Sequence, residues 1–164
     1  MTPVFNFTAY SGTGKTTYVE KLIACLCGRG VRVGAVKHDA HDFDLDRPGK
    51  DSYRFARAGA AVVALASDTK CAVMEYRPVE YAEIIARIKN VDVIICEGYH
   101  AEGARRVVLW RSDSGRTMKL RPGECVAVVS DAELDTGDTP LFPLDNVEPM
   151  ADFIMGEIGK GALG

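Results

Sequence analysis

The chain has 164 residues, 47 % of them hydrophobic, which suffices for one domain with a buried core, so a single domain over residues 1–164 is expected. A formal net charge of −3 argues against a dedicated nucleic-acid binder, which carries a strongly basic surface. No apolar run reaches the length of a membrane span, and the opening residues read straight into a strand without a secretory signal, so a cytoplasmic protein off the membrane is expected.

Residues 4–8, Val-Phe-Asn-Phe-Thr, are rich in β-formers and predict a strand. Residues 9–17 follow as Ala-Tyr-Ser-Gly-Thr-Gly-Lys-Thr-Thr. Beyond them, Val19, Leu22, Ile23 and Leu26 recur at the spacing of an amphipathic helix. Strand, glycine-rich turn, Gly-Lys-Thr and helix together make the context of a phosphate-binding loop. Small residues at Gly12, Thr13 and Gly14 let main-chain N–H groups turn inward around an anion. The helix start adds free N–H groups and the positive end of its dipole. Ser11, Gly12, Thr13, Gly14, Lys15, Thr16 and Thr17 are therefore predicted to hold nucleotide phosphates. Lys15 would reach the β- and γ-phosphates, and the Thr16 hydroxyl would ligate Mg2+. Ala9 stands where the motif G-x-x-x-x-G-K-[ST] has glycine. Alanine fits wherever φ is negative, so a retained fold with a slightly shifted loop entry is expected.

The helix is expected to stop at Gly28-Arg29-Gly30. Residues 31–36 predict a strand reached by a parallel crossover. Residues 38–52 are unusual. From Asp42 to Asp46 the acids alternate with Phe43 and Leu45, so an extended chain would put three carboxylates on one side. This is either an exposed acidic segment or a functional loop at the carboxyl end of the second strand, where ligands sit in open α/β sheets. In the second case the carboxylates make sense as partners of Mg2+. His38 and His41 suggest a transition-metal site on one reading, and hydrogen-bonding or phosphate-facing roles on the other. Residues 51–58 predict a short helix, and residues 61–66 and 71–76 two strands around Ser67-Asp68-Thr69. Pro78 is expected to open a helix carrying Tyr81, Ile84, Ile85 and Ile88 on one face.

Residues 91–97, Val-Asp-Val-Ile-Ile-Cys-Glu, form a nearly unbroken apolar run, the mark of a central strand covered on both faces. The run ends at Glu97-Gly98, where a carboxylate would serve Mg2+ through water, so Glu97 is paired with Thr16 as metal-binding. Residues 106–111 predict another strand, with Trp110 packing, and residues 112–123 a mobile polar connector. A strand over 124–129 leads into Ser130-Asp131. Asp131 is either part of an ordinary turn or a carboxylate that reads guanine N–H groups and so selects GTP. Asp145 or Asn146 is expected to cap a final helix with Val147, Met150, Ile154 and Ile158 as its apolar stripe. The five cysteines are dispersed, and Cys25 and Cys27 point roughly 200° apart on their helix, too far to grip one metal ion. Cys71, Cys96 and Cys125 read as small buried hydrophobes.

The run Lys37-His38-Asp39-Ala40-His41, continuing as Asp44-Leu45-Asp46-Arg47-Pro48-Gly49-Lys50-Asp51-Ser52-Tyr53, is more specific than the phosphate loop. With Asp92, Glu97-Gly98-Tyr99 and Pro143-Leu144-Asp145, it resembles the molybdopterin-guanine dinucleotide biosynthesis adapter family, MobB. The resemblance implies an α/β, P-loop NTPase-like fold with a mostly parallel twisted sheet flanked by helices. It further implies GTP and Mg2+ as ligands, feeble GTPase activity and a homodimer. As partners it implies the molybdenum cofactor guanylyltransferase and other cofactor-biosynthesis enzymes, with molybdopterin itself a candidate ligand. The sequence offers no N-K-x-D guanine motif, no evident water-positioning glutamine and no designated arginine finger, although Arg47, Arg54 and Arg105 are candidates to act in trans. A small-molecule kinase, and a metal-insertion GTPase using His38 and His41, are the alternatives.

Overall fold

The computed structural model describes residues 2–38, 43, 45–99, 105–119 and 121–162. In chain order the elements are β1 (Val4–Thr8), α1 (Lys15–Gly28), β2 (Val33–Lys37), α2 (Asp51–Arg57), β3 (Val62–Ala66), β4 (Cys71–Glu75), α3 (Tyr81–Arg87), β5 (Val93–Glu97), β6 (Arg105–Trp110), a short 3-10 helix (Ser112–Ser114), β7 (Ala127–Ser130), β8 (Leu141–Pro143) and α4 (Glu148–Ala162). The chain divides into two compact units, residues 1–38 with 85–164, and residues 39–84.

The larger unit is a six-stranded sheet in the order β2-β5-β1-β6-β7-β8, with every neighbouring pair parallel. This is the α/β architecture of P-loop NTPase-like proteins. Alternation along each strand sends one set of side chains into a common core. Phe5 and Phe7 of β1, Val93 and Ile95 of β5, Val107 and Leu109 of β6, and Ala127 and Val129 of β7 meet Leu22 and Leu26 of α1 and Met150 and Ile154 of α4. Burying each large apolar side chain stabilises by about 1.5–3 kcal/mol. The opposite set, including Ile94, Cys96, Val108 and Val128, is buried as well, as central strands require. The side-chain oxygen of Asn146 accepts a hydrogen bond from the Glu148 N–H at 3.0 Å and caps α4. Arg32 grips Asp92 with both its main-chain N–H and its guanidinium, and so clamps the starts of β2 and β5.

The smaller unit holds α2 and the antiparallel hairpin β3–β4, paired from Val62↔Glu75 to Ala66↔Cys71. Its outward face carries Val62, Ala64, Ala66, Cys71 and Val73, all exposed. Cys71 is thus not the buried hydrophobe expected: it stands at the turn end of the hairpin, where Leu65 and Ala72 on the other face are exposed as well. Cys96 is buried as expected, and Cys125 half-buried. Two further expectations shift. α3 starts at Tyr81 and not at Pro78, and β8 forms in a Pro-flanked stretch that carried no strand signal.

Candidate phosphate-binding site

β1 lies between β5 and β6, with Phe7 opposite Glu97 and Thr8 opposite Val108, so the chain leaves β1 at the middle of the sheet's carboxyl edge. Ala9 is 6 % exposed and its methyl joins the core. Among the described residues Asn90 is the only non-glycine with positive φ, so Ala9 meets the backbone condition its side chain imposes. The loop then turns through Gly12 (φ 83°) and Gly14 (φ 87°), a conformation that costs glycine nothing. The buried Thr13 fixes the turn: its hydroxyl donates to the Tyr10 carbonyl at 2.8 Å. Gly14 is the N-cap of α1 and supplies no side-chain cap, and no acid occupies the first turn. Ser11, Gly12, Gly14, Thr16 and Thr17 are exposed. An uncapped, uncrowded helix start behind two glycines is a place for an anion.

Lys15 and Glu97, 82 positions apart, meet here. The Lys15 Nζ donates to Glu97 Oε1 at 2.5 Å, and the Thr16 hydroxyl donates to the same oxygen at 2.9 Å. Burial alone would raise the Glu97 pKa. The hydrogen bonds from Lys15 and Thr16, with the charges of Lys15 and Lys37, outweigh it and hold the carboxyl below its ordinary value. Glu97 is therefore an anion at neutral pH. Gly98 (φ 88°) makes this possible: a Cβ there would lie 2.8 Å from the His38 carbonyl oxygen. Glycine lets β2 and β5 stay paired one residue further, with the His38 N–H donating to the Glu97 carbonyl at 2.8 Å. The His38 and Tyr99 rings then pack with centroids 4.6 Å apart.

The carboxyl end of β6 closes the other side. Arg111 Nε donates to the Thr13 carbonyl at 3.0 Å. Next to it, Ser112 donates from its N–H to Asp131 Oδ1 at 2.9 Å and from its hydroxyl to Oδ2 at 3.3 Å. Arg116 and Lys119 each stand 5.0 Å from the centre of the Tyr10 ring, within cation–π range. Within the stretch 112–123 expected as a polar and basic connector, Arg116 and Lys119 thus lie against Tyr10 of the loop. Asp131 lines a cavity of about 510 Å3 with Arg111, Ser130, Glu133, Phe142 and Asp145.

The structure thus brings Lys15, Thr16 and Glu97 together on the loop Ser11–Thr17, and sets Asp131 at the end of β7. Arg105 sits at the opposite end of β6 and pairs with Glu157 at 3.1 Å. His41, Asp42 and Asp44 lie outside the described residues, and among the described residues no three His, Cys, Asp or Glu side chains gather as metal ligands. Arg111 is a site residue that no sequence motif marks. Its only trace in the sequence is a charge ending an apolar strand, the same signature that singled out Glu97.

A central parallel sheet, a glycine loop at its carboxyl edge and a Lys-Thr pair facing an acid define the class: a P-loop NTPase-like α/β domain. The family model for molybdopterin guanine dinucleotide synthesis protein B, MobB, matches residues 4–131. The chain is 40 % identical to the molybdopterin-guanine dinucleotide biosynthesis adapter protein of Escherichia coli, over 94 % of this chain and 93 % of that one. It is 33 % identical to the Haemophilus influenzae protein of the same name, over 93 % and 87 %. The solved structure of Bacillus subtilis MobB shares the fold, with a TM-score of 0.75 and 21 % identity over 94 % of this chain and 96 % of that one. The chain belongs to the MobB family.

Proposed function

We propose that this chain is a GTP-binding adapter in molybdopterin guanine dinucleotide biosynthesis, assisting the guanylyltransferase and turning GTP over slowly. The observation that carries the reading is the convergence of Lys15, Thr16 and Glu97 on one carboxylate oxygen beside the loop amides. In the nucleotide-bound state Lys15 exchanges Glu97 for phosphate oxygens. The Thr16 hydroxyl and Glu97 carboxylate are hard oxygen donors of the kind Mg2+ takes, so these two residues would hold the ion, which supplies charge neutralisation at the β- and γ-phosphates. Ser11, Gly12, Gly14 and Thr17 contribute amides and hydroxyls around the phosphates, and Thr13, turned to the Tyr10 carbonyl, shapes the loop that holds them. Asp131 reads the base, its carboxylate already oriented by Ser112 and each oxygen keeping a second lone pair.

Slow hydrolysis accords with composition, because the chain contains no glutamine to orient an attacking water. A homodimer accords with the outward face of β3–β4, where Val62 and Val73 are 55 % and 61 % exposed on a two-stranded sheet too small to be stable alone. No helix among the described residues is long and apolar enough to cross a membrane. We place the protein in the cytoplasm, with cofactor-biosynthesis enzymes as partners and molybdopterin as a candidate ligand.

The test is capture of the tagged chain from cells followed by mass spectrometry, with Lys15→Ala alongside. Recovery of the guanylyltransferase with the native chain supports the adapter reading. Recovery of no molybdenum-cofactor enzyme, with an acceptor metabolite phosphorylated instead, would replace it by a kinase.

A further inference from the structure

Gly14 has no intrinsic preference for the direction of the peptide plane before it, because a glycine turns through φ at little cost. On the Thr13 side the loop is held by the hydroxyl and N–H of Thr13 on the Tyr10 carbonyl, so a hydrogen bond to the Thr13 carbonyl is what adds a hold on the Thr13–Gly14 peptide itself. A trans peptide carries its C=O and the following N–H on opposite sides. Arg111 Nε donates to the Thr13 carbonyl at 3.0 Å, so the Gly14 N–H of that trans peptide is turned the opposite way, away from the guanidinium. The guanidinium lies close to the loop, with Nη2 3.8 Å from where a Gly14 Cβ would be. Arg111 is held in turn. It is the N-cap of the 3-10 helix Ser112–Ser114, whose first residue is fixed by both oxygens of Asp131. A continuous strut runs from the cavity at the end of β7 to the phosphate loop: Asp131, Ser112, Arg111, Thr13.

We infer that Arg111 is a positioning residue of the phosphate site, setting the Gly14 amide through the Thr13 carbonyl, and that Asp131 supports it through Ser112. The inference rests on the phosphate-binding reading above. It also makes Asp131 matter for a ligand that has no base.

The probe is inorganic tripolyphosphate, titrated calorimetrically beside GTP into the full chain, with ligand-free melting as the control for folding. Arg111→Ala is expected to weaken both ligands about tenfold, the scale of one charge-assisted hydrogen bond. Arg111→Lys keeps the charge but puts a methylene where Nε stands, so it does not restore binding. Asp131→Ala is expected to weaken tripolyphosphate about threefold, the modest size of an exposed polar link. Full rescue by Arg111→Lys, or native tripolyphosphate affinity in both Arg111→Ala and Asp131→Ala, would overturn the strut. A native chain that binds neither ligand would instead defeat the phosphate-site reading itself. If Arg111→Ala melts early, the lysine and Asp131 variants decide alone.

Discussion

Replacing Glu97 by glutamine separates its hold on Lys15 and Thr16, both bound to one oxygen, from the proposed role toward Mg2+. The Lys15 and Glu97 charges stand 2.5 Å apart on side chains 17 % and 11 % exposed. Their gross attraction is about 7 kcal/mol at an effective dielectric of about 20. Desolvation of both groups offsets most of this, and an amide oxygen still accepts from Lys15 and Thr16. The net loss is the difference between a charged and a neutral hydrogen bond, about 1–1.5 kcal/mol, or roughly tenfold in an equilibrium. Lys15 is released by that amount, and one negative charge facing the triphosphate disappears. GTP affinity measured in EDTA is therefore expected to hold or to rise by up to about tenfold. With Mg2+ the sign reverses, because the amide is a poorer donor to a hard cation. The ratio of affinities with and without Mg2+, from calorimetric titration, should fall by about tenfold or more. An unchanged ratio would remove Glu97 from the metal's surroundings and refute the reasoning.

Lys15→Ala should lower GTP affinity about a hundredfold, since the ammonium that would meet the phosphate oxygens, and that offsets the Glu97 charge beside them, is removed. Native-like GTP affinity would contradict the assigned pocket. Gly98→Ala should destabilise by about 1–3 kcal/mol in urea unfolding, through a strained φ and a Cβ 2.8 Å from the His38 carbonyl. Gly123→Ala, at φ 88° but with open space around it, should lose less. The side-chain and main-chain hydrogen bonds from Arg32 hold the Asp92 carboxyl below its ordinary value of 3.8. The native pKa is depressed, so this clamp stabilises fully above pH 3.8 and the benefit is lost as pH falls through the native pKa. Denaturation midpoints of the native chain and Asp92→Asn should differ at neutral pH and converge in acid.

The sequence was most legible where local chemistry is self-sufficient. Gly12, Gly14, Lys15 and Thr16 announce the loop because backbone freedom, a cation and a hydroxyl at fixed spacing serve one purpose. The run 93–97 announces a central strand because burial on both faces removes alternation. Pairing Thr16 with Glu97 needed only the rule that ligands gather at the carboxyl ends of parallel strands. What escaped depends on neighbours in space. The strand at Leu141–Pro143 forms because β7 offers a free edge, and Pro140 and Pro143 mask it in a propensity reading. The polar stretch 112–119 reads as a loop, yet Trp110 Nε1 donates to the Arg116 carbonyl and the cations settle on Tyr10. Arg111 has no motif around it, since its work is to orient someone else's peptide. The exposure of Cys71 follows from its place at the turn end of a two-stranded hairpin whose two faces are both exposed there, which composition does not set.

The most direct test is a crystal structure with a non-hydrolysable GTP analogue and Mg2+. Phosphate density is expected against the amides of the loop over residues 12–16, with Lys15 withdrawn from Glu97 onto phosphate oxygens and Arg111 still on the Thr13 carbonyl. A cradle without phosphate at saturating analogue, with Lys15 still bound to Glu97, would contradict the phosphate-site reading.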